Sequence, residues 1–169
     1  MLPTRRALLA AGLVLPLQAI AQACRRTPRQ TEGPYFKPSS PERRALSASP
    51  TFVVSGRVLD RDCRPAAHAL LDFWHADEHG EYDNSGFRCR GHQFTDAEGR
   101  YRLETVLPGE YPGRTRHIHV KVQARGGPLL TTQLYFPGEP GNARDGLFRP
   151  ELAVTMDRPG LAVFDFVAA

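Results

Sequence analysis

Residues 111–121 read Tyr-Pro-Gly-Arg-Thr-Arg-His-Ile-His-Val-Lys, a turn that leads into an alternating β-strand. Side chains two residues apart in a strand point to the same face of the sheet. His117 and His119 therefore project together, while Ile118 and Val120 point to the opposite face and pack into a core. Two imidazoles side by side on a rigid strand are half of a metal site.

Short segments rich in β-branched and aromatic residues surround this strand, with Gly, Pro and Asp turns between them. One such turn, Asp96-Ala97-Glu98-Gly99, predicts a hairpin, and no segment shows a helical period over three turns. The predicted strands cover residues 52–59, 69–75, 93–95, 101–106, 117–123, 130–136 and 161–167. The pattern predicts an all-β fold: a single-domain β-sandwich of mixed and antiparallel strands with long loops, over residues 51–169.

Residues 24–50 differ from this pattern because they are polar and interrupted by five prolines. Proline restricts the backbone and cannot donate to a sheet, so this segment predicts an extended arm on the surface of the sandwich. Within the arm, Thr31-Glu32-Gly33-Pro34-Tyr35-Phe36 combines a tight turn with two aromatic residues. Two aromatics are unusual in a solvated tail.

Residues 1–23 predict a signal peptide. Arg5 and Arg6 precede an apolar run over residues 7–17, and Ala21-Gln22-Ala23 resembles a cleavage site. The paired arginines suggest the twin-arginine route, although the general secretory route also tolerates them. Either route predicts an exported protein, periplasmic or secreted.

The three cysteines, Cys24, Cys63 and Cys89, would meet an oxidising compartment after export. A Cys24–Cys63 bridge would tie the arm to the sandwich, but the sequence leaves the pairing open, including three free thiols.

The composition also limits the partners. The formal net charge is +4 at pH 7, with no dense run of Lys and Arg outside the N-terminus, so we expect no nucleic-acid partner. The apolar run over residues 7–17 is too short and too interrupted for a membrane span. The sequence leaves open whether the chain forms a homo-oligomer.

Tyr82 and Tyr111 complement the two imidazoles. Tyr111 lies on the turn just before their strand, and Tyr82 lies on a loop after the strand that ends in Trp74. A phenol has a pKa near 10 and is normally a poor ligand, but a hard, highly charged cation acidifies it. Two tyrosines with two histidines would therefore suit Fe(III).

The chain resembles the intradiol ring-cleavage dioxygenases, the family of protocatechuate 3,4-dioxygenase and catechol 1,2-dioxygenase. The resemblance covers most of the chain beyond the signal peptide and depends on five stretches in the same order as in the family. These are Thr31–Phe36, Asp72–Asn84 (D-F-W-H-A-D-E-H-G-E-Y-D-N), Gly91–Tyr101, Pro108–Val120 (P-G-E-Y-P-G-R-T-R-H-I-H-V) and Thr132–Gly138 (T-Q-L-Y-F-P-G).

The resemblance implies a role for each matching residue. It implies an Fe(III) site whose ligands are Tyr82, Tyr111, His117 and His119. Tyr82 would stay on the metal, whereas Tyr111 would be displaced by substrate and act in catalysis. Arg114 and Gln133 would lie beside the substrate ring, with Arg116 as the other candidate arginine. Gly33, Pro34 and Tyr35 would line the substrate cavity.

The resemblance further implies the reaction. An aromatic diol and O2 would react, with both oxygen atoms inserted and the ring cleaved between its hydroxyls to a cis,cis-muconate-type diacid. A different class of function would be a non-catalytic transthyretin-like or carbohydrate-binding module on the same sandwich. Catechol, protocatechuate, hydroxyquinol and larger lignin-derived diols remain alternative substrates.

Overall fold

The computed structural model describes residues 25–168, which fold into two β-sheets. The strands are β1 Phe52–Leu59, β2 Leu70–Trp74, β3 Arg90–Phe94, β4 Arg100–Thr105, β5 His117–Gln123, β6 Leu130–Tyr135, β7 Thr155–Arg158, β8 Leu161–Val163 and β9 Phe166–Val167. Short 3-10 helices cover Pro140–Ala143 and Pro150–Leu152. The predicted β-sandwich is confirmed.

The histidine strand β5 is central in a four-stranded sheet of order β3-β2-β5-β6, in which all pairs are antiparallel. The other sheet has the order β4-β1-β8-β7, and β9 also pairs with β1. Both β8 and β9 run parallel to β1, so this second sheet is mixed. A strand with a neighbour on each side is held along its whole length, which makes β5 a rigid support.

The core lies between the two sheets and fills with the apolar faces of their strands. Ile118 and Val120 of β5 are fully buried in one cluster with Phe73 of β2 and with Val54 and Leu103 of the second sheet. Burying one such side chain contributes roughly 1.5–3 kcal/mol. The predicted alternation along β5 is therefore confirmed on its apolar side.

The predicted hairpin at residues 96–99 is wrong. The turn itself forms, because the Gly99 N–H donates to the Asp96 carbonyl at 3.0 Å. However, β3 and β4 belong to different sheets, so the chain crosses the sandwich at this point. Turn chemistry is local, and it does not determine which sheet the next strand joins.

The C-terminal region differs in two ways from the predicted strands. The chain forms β7, which lies outside the predicted strands, and all four residues of β7 are exposed. Such an edge strand has no apolar face to mark it in the sequence. The predicted strand 161–167 is interrupted at Phe164 and Asp165, where the Asp165 side chain accepts the Arg57 N–H at 2.7 Å.

Residues 25–50 follow the surface and hydrogen-bond to both sheets. The Gln30 N–H donates to the Thr131 carbonyl at 2.8 Å, and the Leu46 N–H donates to Glu104 at 2.8 Å. Leu46 enters the core cluster. The arm is therefore fixed at several points along its length, and the boundary at residue 50 stays a prediction.

Cys63 is disulfide-bonded, whereas Cys89 is free and buried. Cys24 and the predicted signal peptide lie outside the described residues. Within residues 25–168 no helix is long and apolar enough to cross a membrane.

Gly56 of β1 provides a test of this packing. A Cβ at this position would lie 1.9 Å from the Phe164 carbonyl oxygen, at the interruption between β8 and β9. We expect Gly56→Ala to lower the free energy of unfolding by at least ~2 kcal/mol, because backbone must move to admit the methyl group. Gly146→Ala, where a Cβ would contact nothing within 4 Å, is the control. Equal effects in chemical denaturation would contradict this packing.

His75 predicts how stability depends on pH. Its ring is buried, with Nε2 2.7 Å from Thr105 Oγ1, and burial lowers the pKa of His75 to about 4 from 6.5. The unfolded chain therefore binds the extra proton first as the pH falls. The contribution of neutral His75 to the free energy of unfolding should be fully present above pH 6.5. It should decline as the pH falls towards 4, by up to about 3 kcal/mol.

Denaturation of His75→Gln between pH 7 and 4 should therefore show a shallower decline than the unsubstituted protein. His68→Gln, at an exposed position, is the control. Parallel curves for all three proteins would show that His75 does not titrate in this way.

Candidate metal centre

The imidazoles of His117 and His119 converge on one buried point at the start of β5. The two side chains are 3% and 1% exposed, and their Nε2 atoms lie 3.1 Å apart. His117 Nδ1 lies 2.6 Å from the Thr115 carbonyl oxygen, which can only accept. The proton of neutral His117 is therefore on Nδ1, and its Nε2 lone pair faces His119.

The surroundings fix the ring of His119. Trp74, on the neighbouring strand β2, stacks on it with ring centroids 4.8 Å apart and an interplanar angle of 9°. Gly33 of the arm also approaches this ring, since a Cβ there would lie 3.3 Å from Cε1. The Gly33 backbone has a φ of +71°, so glycine suits this turn both by conformation and by size.

The two rings cannot satisfy each other completely, and their Nε2 atoms are placed to share a cation. His119 Nδ1 is buried and has no hydrogen-bond partner. If neutral His119 carries its proton on Nε2, Nδ1 is an unused acceptor; if the proton is on Nδ1, two lone pairs face each other across 3.1 Å. A metal ion bound by both Nε2 atoms would remove that repulsion, so the residues fit one.

Tyr82 reaches this point from the loop between β2 and β3. Its hydroxyl oxygen lies 3.5 Å from His117 Nε2. Carboxylates fold the loop: Asp77 accepts the N–H groups of His79 and Glu81, and Asp83 accepts three backbone N–H groups further on. These local turns hold Tyr82 in place without regular secondary structure.

Tyr111 lies on the tight turn before β5. Its ring centroid lies 5.8 Å from that of Tyr82 and 5.6 Å from that of His117. The two tyrosine loops pack backbone to backbone. A Cβ on Gly80 would lie 2.2 Å from the Glu110 carbonyl, and one on Gly109 would lie 2.4 Å from Gly80 N. Only glycine at both positions lets the loops approach closely enough to bring the phenols together.

Burial shifts the pKa of each of the four groups in the direction that favours its uncharged form. It lowers the pKa of His117 to about 4 and holds the pKa of His119 well below its usual value, with nearby positive charge adding to the effect. Burial also raises the pKa of Tyr82 and of Tyr111, and Arg114 partly offsets the rise at Tyr111. The protein alone therefore keeps imidazoles and phenols neutral, and a strongly charged cation would be needed to ionise the phenols.

Arg114 lies beside this group and is held by polar partners. Its Nη2 donates to Gln133 Oε1 at 2.5 Å, Nη1 lies 3.4 Å from the Tyr111 hydroxyl, and Nε donates to Asp145 at 2.9 Å. Burial alone would lower the pKa of Arg114, but Asp145, together with Tyr111 and Tyr135, outweighs burial, and the pKa is raised. Arg114 thus presents a fixed positive charge next to the phenols.

The arm residues predicted for substrate binding lie over the same region. The ring of Tyr35 stacks on Tyr82 with centroids 4.2 Å apart, and Gly33 approaches His119. Pro34 between them is exposed. Gln133 Nε2 donates to the Thr31 carbonyl at 3.0 Å, which joins the arm to the residues around Arg114.

The structure separates the two candidate arginines. Arg116 pairs with Glu139 at 2.9 Å and donates to the Pro108 carbonyl, whereas Arg114 contacts Tyr111 and Gln133. Position in the chain favoured Arg114, and its contacts support that choice.

Several supporting residues were missed by the sequence reasoning. Arg90 is 2% exposed and donates to the carbonyls of Asp83 and Tyr35, so it joins the Tyr82 loop to the arm. Tyr135 places its hydroxyl 3.1 Å from Gln133 Oε1. Asp145 lies in a loop with no strand pattern. Arg90 lies outside the predicted strand 93–95, so no local pattern indicated it.

The ligand set is unusual in its chemistry. Within residues 25–168 no group of three or more His, Cys, Asp or Glu could hold a metal ion, so a metal here depends on the tyrosines. Two neutral nitrogens and two ionisable phenols match a hard trivalent cation better than Zn(II) or Fe(II). The arrangement therefore agrees with the iron expected from the sequence.

The family model and the relatives described next all carry the description dioxygenase. A family model described as Dioxygenase matches residues 32–156. The protocatechuate 3,4-dioxygenase beta chain of Burkholderia cepacia is 37% identical over 63% of this chain and 53% of its own length. Catechol 1,2-dioxygenase 2 of Acinetobacter lwoffii is 35% identical over 68% of this chain and 52% of its own. The chain thus spans about half the length of these curated relatives.

A solved structure is similar over nearly its whole length. It is the dioxygenase domain of a dioxygenase carbohydrate-binding protein fusion from the cellulolytic bacterium Streptomyces sp. SirexAA-E. The two are 57% identical with a TM-score of 0.80, over 85% of this chain and 97% of that one. With the family model covering well over half of its residues, the chain belongs to the intradiol ring-cleavage dioxygenase family.

Proposed function

We propose that this chain is an Fe(III) intradiol dioxygenase that cleaves a catechol-type diol between its two hydroxyls, giving a cis,cis-muconate-type diacid. The observation that carries the proposal is the convergence of His117 Nε2, His119 Nε2 and the Tyr82 hydroxyl, with Tyr111 and Arg114 beside them. Family membership supports the reaction class, and the relatives are named for protocatechuate and catechol.

Iron would be held by Tyr82, Tyr111, His117 and His119. When bound there, a ferric ion would supply Lewis acidity that draws electron density from a diol and makes its ring reactive towards O2. The two phenols would carry negative charge towards the ion, which favours the ferric state.

The chain's own residues would then handle protons and charge. As the phenolate that bound iron would favour, Tyr111 Oη, half-buried and next to Arg114, would be placed to accept a proton from a diol hydroxyl and become a neutral phenol. Arg114 would stabilise negative charge that develops on the ring and its oxygens, because its guanidinium is already oriented by Gln133. Trp74 and Tyr35 would keep water from the ligand rings by stacking on His119 and Tyr82.

Export to the periplasm or outside the cell is part of the proposal. The disulfide at Cys63 supports it, because structural disulfides are typical of oxidising compartments. The predicted signal peptide at residues 1–23 would direct that export by the twin-arginine or the general secretory route.

Oxygen uptake by the iron-loaded protein tests the reaction directly. With a panel of catechol, protocatechuate and hydroxyquinol, we expect one O2 consumed per diol and a ring-opened diacid that retains every carbon. Resorcinol, whose hydroxyls are not adjacent, is the control and should not react. No uptake with any adjacent diol would favour the non-catalytic binding module.

The ligand assignment predicts a colour. The iron-loaded protein should be wine-red to burgundy from charge transfer between phenolate and Fe(III), and Tyr82→Phe should lose most of the colour and activity. Tyr101→Phe is the matched control, since Tyr101 is a buried tyrosine whose hydroxyl donates to the Phe164 carbonyl. A colourless protein with a full equivalent of iron would overturn the ferric-tyrosinate assignment.

A further inference from the structure

We propose that Asp145 is a positioning residue that holds Arg114 in the orientation used on the substrate. The inference rests on the proposed function, because it concerns how the same site treats the diol. Within residues 25–168 the Asp145 side chain hydrogen-bonds to Arg114 and to the N–H groups of Thr115 and Leu147 but to none of the four candidate ligands, so its effect would pass through Arg114.

The contacts of Asp145 are those of a fixed anchor. Its Oδ2 accepts Arg114 Nε at 2.9 Å and the Thr115 N–H at 3.0 Å, while Oδ1 accepts the Leu147 N–H at 2.8 Å. Its side chain is 2% exposed and that of Arg114 is 14% exposed. A carboxylate with three donors in a buried setting has little freedom to turn, so it defines where the Arg114 Nε–H points.

Each nitrogen of the Arg114 guanidinium has a different neighbour. Asp145 takes Nε, which leaves Nη1 near the Tyr111 hydroxyl and Nη2 on Gln133 Oε1. A guanidinium is planar, so fixing Nε and Nη2 fixes the plane in which Nη1 reaches the site. Gln133 is uncharged, and Asp145 is therefore the anion in this set that balances the buried charge of Arg114.

The anchor also comes from a distant part of the chain. Asp145 follows the 3-10 helix Pro140–Ala143, and its own N–H donates to the Gly141 carbonyl at 3.1 Å. The Thr115 hydroxyl donates to Asn142 at 2.9 Å, a second link between this segment and the Arg114 turn. The segment between β6 and β7 thus acts as a support for the turn that carries Tyr111 and Arg114.

A double-mutant cycle separates positioning from general structure. In single-turnover assays of iron-loaded protein, Asp145→Asn should lower the rate by about 10- to 100-fold, with a smaller change in the diol concentration at half-saturation. In the Arg114→Ala background the same substitution should lower the rate by less than about 2-fold, because the guanidinium that Asp145 positions is already absent. Asp145→Glu should recover part of the rate, since it keeps the charge.

Asp96→Asn is the matched control. Asp96 also accepts an arginine Nε, that of Arg100 at 2.8 Å, together with two backbone N–H groups, but on an exposed turn away from the site. It should leave the rate unchanged. Thermal unfolding of every variant, measured in parallel, identifies any loss that follows from unfolding.

A readout without iron completes the test. In the metal-free protein, the Nε–H of Arg114 should give a distinct NMR signal protected from solvent exchange, assigned by its loss in Arg114→Ala. We expect Asp145→Asn to shift that signal and abolish its protection while the backbone spectrum of the core strands persists.

Equal rate losses in both backgrounds of the cycle, or an unprotected Nε–H in the unsubstituted protein, would overturn the positioning role. Absence of any diol cleavage by the unsubstituted protein would instead count against the proposed function, with the NMR result still deciding whether Asp145 holds Arg114.

Discussion

Two buried imidazole nitrogens, His117 Nε2 and His119 Nε2, face each other at 3.1 Å, and the rest of the site depends on this contact. Imidazoles in such a position resist protonation, because burial and the neighbouring positive charges oppose it. The neutral rings can share one Nε2–H at this distance, but that tautomer leaves His119 Nδ1 as a buried acceptor without a partner, and the other tautomer sets two Nε2 lone pairs face to face. The sandwich stabilises the arrangement through the apolar side of the same strand, where Ile118 and Val120 are fully buried. Core packing thus holds in place a pair that is poorly satisfied by itself.

The two phenols reach this pair by a different physical route. Neither Tyr82 nor Tyr111 is on a strand; each is on a loop, and loops hold a side chain only where their own polar groups are satisfied. Asp77 and Asp83 satisfy the N–H groups of the first loop, and the close approach of Gly80 to Glu110 joins it to the second. The site is therefore formed by one rigid strand and two loops that pack against each other. The arm covers it where Tyr35 stacks on Tyr82 and Gly33 approaches His119.

This division explains what the sequence could and could not predict. His117 and His119 were readable because strand alternation places i and i+2 together, and that rule needs only local sequence. The turn at residues 96–99 was readable as a turn but not as a crossing between sheets, since that depends on which strand β4 meets. β7 carries no apolar face, so no periodicity could reveal it. Asp145 and Arg90 act through contacts with residues far along the chain, and no local pattern marks such partners.

The two candidate phenolate ligands are not held equally, and this asymmetry bears on their roles. Tyr82 is stacked under Tyr35, and its loop is tied by Arg90 to the arm, so moving it would break several buried contacts. Tyr111 also has contacts, because its ring centroid lies 5.8 Å from that of Tyr82 and its hydroxyl lies 3.4 Å from Arg114 Nη1, but its turn has open space at the Cβ position of Gly113. The Tyr82 loop is thus anchored to the arm through Arg90, whereas the Tyr111 turn has room to move at Gly113. We propose on this ground that Tyr82 is the ligand that stays and that Tyr111 is the one that an incoming diol displaces.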